Sequence, residues 1–337
     1  MKHQKTAYSF LELAIVSLGQ TLQQALHNAL ASAKQAEACG YKRIWFAEHH
    51  NSDHIGSTAP VILIGYIADN TNSIRVGSGG VMLPNHSPLI VAEQFGTLAQ
   101  LYPGRIDLGL GRAPGTDQQT AHAIRRDFIQ ASQLFPAELD KIQAYFSPEN
   151  RQSTVRVPIA EGTGVPLYIL GSSTDSAHLA AAKGLPYAFA SHFAPAHLHT
   201  ALRIYKQEFQ PSAFLAKPYT MAGVNVLVAD TDAQGEQLFT SLIKMFLGVV
   251  TGERKPLQPP TAMTPDVEEL FQHPALNQML RCTFYGTKLT VKKQLQQFLQ
   301  ETGVDELISV APMYSLDDRL KSIRLFAEIM EEINEGN

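Results

Sequence analysis

Short apolar runs alternate along this chain with longer segments whose apolar positions recur every third or fourth residue, the pattern of parallel strands joined by crossover helices. The reading places a first strand over 10–17, followed by a helix that Thr21 opens as N-cap, with Gln24 as its capping-box partner. Leu22, Leu26, Ala29, Leu30, Ala33 and Ala36 form that helix's inner stripe, and Gly40 stops it. Further strands fall at 43–49, 74–81, 105–111, 167–170, 187–190, 220–229 and 306–310. Helices fall between them at 58–70, 90–101, 120–145, 176–183, 196–209, 233–247 and 289–302, and a last one at 316–332 closes the chain. Eight strands alternating with helices predict a single α/β domain, a (β/α)8 TIM barrel over 1–337. One stretch breaks the repeat. Residues 248–285 carry Pro256, Pro259, Pro260, Pro265 and Pro274 with Arg254 and Lys255, and read as a lid-like excursion before the eighth strand. An ornament packed on the outside fits the same residues.

At 337 residues, with 45% hydrophobic and 17% charged side chains, the chain has material for one large core. Its formal net charge is -4 and it has no basic run, which argues against nucleic acid as a partner. Cys39 and Cys282 show no metal-type spacing, as in a reducing compartment. Lys2 and Lys5 precede an apolar run, but Glu12 interrupts it, so a strand is the better reading than a leader. No apolar stretch is long enough to span a bilayer, and a cytoplasmic location is expected.

In such a barrel the chemistry belongs to the C-terminal ends of the strands. The second strand ends there in Glu48, His49 and His50. Alternation puts Ile44, Phe46 and Glu48 on one face and Trp45, Ala47 and His49 on the other, and only one set can point inward. Gly77-Ser78-Gly79-Gly80 leaves backbone bare, either for a flat ring or for a close packing contact. Gly171-Ser172-Ser173, with Ser176 behind it, suits an anion at a helix start, and Arg112 adds a charged contact. An ordinary N-cap accounts for the same serines. His49, His50, Asp53, His54 and His86 invite a metal reading, but neither paired-histidine strand spacing nor His-Glu-x-x-His is present, so no metal is expected. Phe10, Trp45, Phe193 and the small Gly111 suggest a roomy apolar pocket.

Taken together, these motifs resemble the bacterial luciferase-like flavin monooxygenases over nearly the whole chain. The resemblance is carried by 45–50, by 76–84 with His86 and Pro88, by 103–112, by Gly171-Ser172-Ser173 with Ser176, and by Gly184-Leu185-Pro186. It implies reduced FMN (FMNH2) at the strand ends, with its ring near Gly79 and Gly80 and a cis peptide there. It implies a phosphate site of Arg112, Gly171, Ser172, Ser173 and Ser176. His49 matches the catalytic histidine, and Glu48, which lines the same mouth, is expected as a second catalytic residue. Two positions depart from luciferase: Gly111 stands where luciferase has a reactive cysteine, and Ser172 where it has a glutamate.

The implied activity is oxygenation of a small hydrophobic substrate, with O2 activated through a flavin C4a-peroxide. The chain has no Gly-x-Gly-x-x-Gly after a strand, so a separate NAD(P)H:flavin reductase is the expected partner. A homodimer is also implied. The alternatives are an F420-dependent hydride-transferring oxidoreductase and a non-catalytic flavin-binding protein.

Overall fold

The computed structural model describes residues 5–125 and 127–336; Lys2 lies outside them. Among the described residues nine strands occur: β1 (Ala7–Glu12), β2 (Arg43–Phe46), β3 (Arg75–Met82), β4 (Ile106–Gly111), β5 (Leu167–Gly171), β6 (Tyr187–Phe189), β7 (Thr220–Ala229), β8 (Thr283–Thr287) and β9 (Glu306–Val310). All pairings are parallel, and eight strands close a ring in the order β1-β2-β3-β4-β5-β6-β7-β9. The TIM barrel read from the sequence is the fold. β8 lies outside the ring. The ten-residue β7 is long enough for two neighbours: Met221–Asn225 pair with β9, and Asn225–Ala229 with β8.

The helices are α1 (Leu22–Ala38), α2 (Pro60–Asp69), α3 (Pro88–Leu101), α4 (Gln118–Ile124), α5 (Phe128–Gln133), α6 (Phe135–Phe146), α7 (Thr174–Lys183), α8 (Leu198–Glu208), α9 (Asp232–Thr251), α10 (Pro265–Gln272), α11 (Pro274–Met279), α12 (Lys288–Thr302) and α13 (Leu316–Glu335). Thr21 and Gln24 form the expected capping box on α1. Leu22 does not join its buried stripe: it is 47% exposed in the first turn, while Ala25, Ala29, Ser32, Ala33 and Ala36 face inward. Small residues let this helix lie close to the strands. Among the described residues, no helix is long and apolar enough to cross a membrane.

Strand alternation sorts the core. Phe10, Ile44, Phe46, Val76, Ile106, Leu108 and Ile169 point outward to the helices. Leu11, Trp45, Ala47, Tyr168, Ala188, Met221 and Ile308 fill the barrel. The Trp45 set of β2 is therefore the inward one, which carries His49 toward the barrel axis. Phe10, expected to line a pocket, is fully buried on the opposite face against Tyr41, and so cannot line the mouth.

Three predicted elements differ. The first strand ends at Glu12, because Ala14 turns into the left-handed region (φ 51°) with its N–H bonded to the Glu12 carboxylate. The predicted 120–145 helix breaks into α4, α5 and α6; residue 126 lies outside the described residues. Arg125 is extended, and Pro136 sits in the first turn of α6, as suits a residue with no N–H to give the preceding turn. The 248–285 excursion contains the end of α9, α10, α11 and the start of β8. These pack on a second core of Leu227, Phe239, Leu242, Ile243, Phe246 and Leu276. Its 253–261 segment is strapped down: Leu257 exchanges backbone hydrogen bonds with Val16 and Leu18, and the Thr261 N–H donates to Thr240.

Candidate active site

After β2 the chain runs extended through Ala47–His49, held by backbone bonds to its neighbours, then turns at Asn51 (φ 52°). Asn51 tolerates that conformation, and its amide donates to Thr120. Glu48 is fully buried behind the rim. Its carboxylate accepts from His50 Nε2 (2.8 Å), His86 Nε2 (2.8 Å), Asn85 Nδ2 (3.1 Å) and the Met82 N–H (3.1 Å). Burial pushes the Glu48 pKa up, but the hydrogen bonds from His50, His86 and Asn85 outweigh it and hold the group at about 2. A carboxylate committed to four donors orients its neighbours and holds no spare proton. Arg125, freed by the helix break, clamps the same loop through the carbonyls of Pro84 (3.1 Å) and His86 (3.4 Å).

His49 Nδ1 lies 3.2 Å from the Gly115 carbonyl, which can only accept, so Nδ1 carries the proton. Nε2 is left with a lone pair and has no hydrogen-bond partner among the described residues. Gly115 also accepts from the His50 N–H. Its left-handed φ of 68°, with a Cβ position only 2.4 Å from the Glu48 carbonyl oxygen, makes glycine the residue that fits there. Burial lowers the His49 pKa; the bond to Gly115 opposes this, and the Arg254 charge on the strapped segment reinforces it. His192, beyond β6, is pushed down to about 4 by burial and then by His49.

The Gly79–Gly80 peptide is cis, at the irregularity in the β3–β4 ladder between Ser78 and Val81. Ser78 bridges the gap by bonding both the carbonyl and the N–H of Gly109 (2.8 and 3.0 Å). A Cβ on Gly79 would meet Leu11 and Trp45, and one on Gly80 would meet the Gly109 carbonyl. The bare backbone thus serves a close packing contact. Any ring here would meet the exposed face of the peptide and not a gap left by missing side chains.

At the end of β5, Ser173 is the N-cap of α7 but makes no side-chain cap bond. The first-turn N–H groups of α7 are therefore open to an external acceptor. Ser172 and Ser173 have no side-chain hydrogen bonds among the described residues. Arg112 reaches the same turn and contacts Asp175 at 3.1 Å. Ser176 is placed differently: its hydroxyl lies 2.8 Å from the Ser173 carbonyl and 2.9 Å from the Tyr187 hydroxyl, so it braces the loop. Gly171 makes room for it, since a Cβ there would lie 1.9 Å from the Ser176 Oγ.

The residues expected at the site thus collect at the C-terminal rim. Sequence reasoning did not pair Asn85 and His86 with Glu48, or Gly115 with His49. The Pro114-Gly115 dipeptide was the available signal for the second. Trp45, expected in the pocket wall, is buried below the rim, with its N–H 3.1 Å from Asp107; Phe193 is 41% exposed.

A family model described as luciferase-like monooxygenase matches residues 11–306. A luciferase-like monooxygenase of Escherichia coli (strain K12) is 43% identical over 333 residues, covering 99% of each chain. The crystal structure of apo-MsnO8 superposes with a TM-score of 0.87 at 35% identity, covering 97% of this chain and 98% of that one. The FMN-bound oxygenating constituent of 3,6-diketocamphane monooxygenase, a type II Baeyer–Villiger enzyme from the CAM plasmid of Pseudomonas putida, shares the fold at 16% identity. Its TM-score is 0.70, with coverage of 96% and 97%. F420-dependent chains share it too, so the fold alone does not choose the cofactor. With the motifs in order along a closed barrel and a match over most of its length, this chain belongs to the luciferase-like monooxygenase family.

Proposed function

We propose that this protein is the oxygenating component of a two-component flavin monooxygenase, receiving reduced FMN from a separate NAD(P)H:flavin reductase. The observation that carries the reading is the rim itself. An uncapped helix start with two free serine hydroxyls and Arg112 fits a phosphate, and the same rim holds an imidazole with one nitrogen fixed and the other open.

The reduced flavin, when bound, supplies the electrons that activate O2. The chain does the rest. Ser172, Ser173, the first turn of α7 and Arg112 bind the phosphate; Gly171 and Ser176 shape that turn. The Gly79–Gly80 backbone borders the ring site. His49 moves a proton at Nε2, and Gly115 sets its tautomer. Glu48 is a positioning residue, fixing His50, His86 and the loop at Met82. The strap at 253–261 limits water at the mouth. The substrate is a small hydrophobic molecule. Exposed Ile62, Tyr66, Ile90 and Leu101 on α2 and α3 support a homodimer.

F420 dependence is the second reading, because proteins of this fold use that cofactor. Its more anionic tail calls for extra basic groups, and Arg112 is the evident one at the serine turn. Anaerobic titration with FMNH2 and with reduced F420, followed by admission of 18O2, separates the readings. Saturable FMNH2 binding, with label entering a hydrophobic test substrate, is expected. Binding of F420 alone, or tight binding of oxidised FMN without turnover, overturns the proposal. Sedimentation of the same samples should give a dimer; a monomer rejects that part.

A further inference from the structure

His192 is held in place with unusual thoroughness for a side chain that makes no hydrogen bond among the described residues. Its carbonyl accepts from Asn225 Nδ2 at 2.6 Å, and the neighbouring Ser191 hydroxyl donates to the Gly223 carbonyl at 2.7 Å. The Phe193 ring packs edge-on at 5.0 Å. On β7, Met221 points into the barrel, so Gly223, two residues on, points the same way. A Cβ on Gly223 would sit 2.4 Å from His192 Nδ1; only a residue with no side chain leaves room for the imidazole. Nδ1 is buried there without a partner.

Which tautomer that pocket selects follows from the cost of orphaned groups. A buried N–H with nothing to donate to is rarer and more costly than an unused lone pair. With Nδ1 pressed against Gly223, the proton belongs on Nε2. We propose that His192 is a ligand-facing hydrogen-bond donor: the pocket at Gly223 fixes its ring as the Nε2–H tautomer and presents that N–H to the barrel mouth. The assignment of its recipient rests on the FMN reading above, on which it is an acceptor atom of the flavin ring. The mouth then holds two imidazoles in opposite tautomers. His49 offers a lone pair and His192 a proton. Among the inward side chains, Leu11, Ala47, Ala188 and Met221 add no donor, and the Trp45 N–H is already given to Asp107.

The test uses the full-length protein with 15N-labelled histidine, His192→Leu assigning the signal, and oxidised FMN as the probe. In the free protein the His192 ring should show a protonated Nε2 and a bare Nδ1. Adding FMN should shift its Nε2 resonance. His192→Leu should weaken FMN binding by roughly 3- to 10-fold, the worth of one net hydrogen bond. His192→Gln, which keeps an N–H donor, should restore affinity to within about 2-fold. Gly223→Ala keeps the imidazole but evicts it, and should behave like His192→Leu; thermal melts check that each variant is folded. A protonated Nδ1 overturns the proposal. So do FMN binding that leaves the His192 signals unmoved and His192→Leu affinity at the wild-type value. Failure of the wild type to bind FMN at all is a different result: it overturns the cofactor reading and the recipient named here, while the tautomer is still decided by the free-protein spectrum.

Discussion

The two ends of the barrel treat buried polar groups in opposite ways. At the N-terminal end, Arg43 pairs with Asp107 (2.7 Å) and Glu306 (2.9 Å), and Arg75 also reaches Asp107. Tyr168 and Tyr219 close the set, the first accepting from Arg43 and the second donating to Glu306. Each charge there answers another. At the C-terminal end, His49 Nε2, His192 Nδ1, two serine hydroxyls and the first turn of α7 have no partner among the described residues, while two carboxylates gather closed sets of donors: Glu48, and Glu12 with the Ala14 N–H and Arg319. Charges that pair with each other hold the fold; the open groups gathered at the rim are available to something the chain does not contain.

The sharpest way to break this contrast is to exchange the expected costs. Arg43→Leu leaves Asp107 and Glu306 buried with fewer counter-charges, and should cost about 3–5 kcal/mol of stability. Arg43→Lys, which keeps the charge but not the fork, should fall between. His49→Ala should lower turnover by at least about 100-fold. Its effect on stability should stay near 1 kcal/mol, the worth of one hydrogen bond. Urea midpoints and coupled turnover assays read both. A stable Arg43→Leu protein, or a His49→Ala protein that turns over normally, ends the distinction between the two ends.

Glu48 lies between the two cases, a satisfied charge placed at the open end. Glu48→Gln should cost about 2–3 kcal/mol, because an amide cannot accept from four donors. The pH dependence sharpens the point. Glu48 titrates at about 2 in the fold and ordinarily at 4.5, so the unfolded chain takes up its proton first. Its contribution, about 3 kcal/mol, is complete above pH 4.5 and lost as pH falls toward 2. His192 titrates at about 4 against an ordinary 6.5, so here too the unfolded chain protonates first, and stability falls between pH 6.5 and 4. Urea midpoints against pH should show two descending limbs. Glu48→Gln should reduce the lower one, to which Asp117 and Glu332, also held at about 2, contribute, and His192→Gln should reduce the upper. An unchanged lower limb in Glu48→Gln means the carboxylate is not the hub its contacts describe.

Local signals were legible and crossings between distant segments were not. The seventh strand at 220–229, the Thr21–Gln24 cap and the end of the first helix before Gly40 follow from neighbours in the chain. Alternation paired Trp45 with His49, but which set pointed inward depended on what β1 and β3 pack against. β8 escaped because it is five residues long, follows a proline-rich stretch and leans on one half of β7 outside the ring. The Glu48–His86 pair spans 38 positions, and the orphaned Nδ1 of His192 depends on a missing Cβ in the next strand. No periodicity carries either fact.

Gly111 tests the contrast at its weakest point, where the two ends differ in what a new methyl would strike. On Gly77, toward the paired end, a Cβ would lie 2.6 Å from the Asp107 carbonyl oxygen, which is backbone and cannot yield. On Gly111, at the rim, it would lie 2.9 Å from Met82 Sδ, part of a flexible side chain. Gly111→Ala therefore asks only for a shift of Met82, and the lost freedom of the unfolded chain returns about 0.4–1 kcal/mol. The net change should stay within about 1 kcal/mol. FMN affinity is the informative readout: if Gly111 keeps space open beside the ring, binding weakens while the melting temperature holds. A large loss of stability instead would mean that the rim at β4 is packed as tightly as the charged end, and that its glycine belongs to the fold.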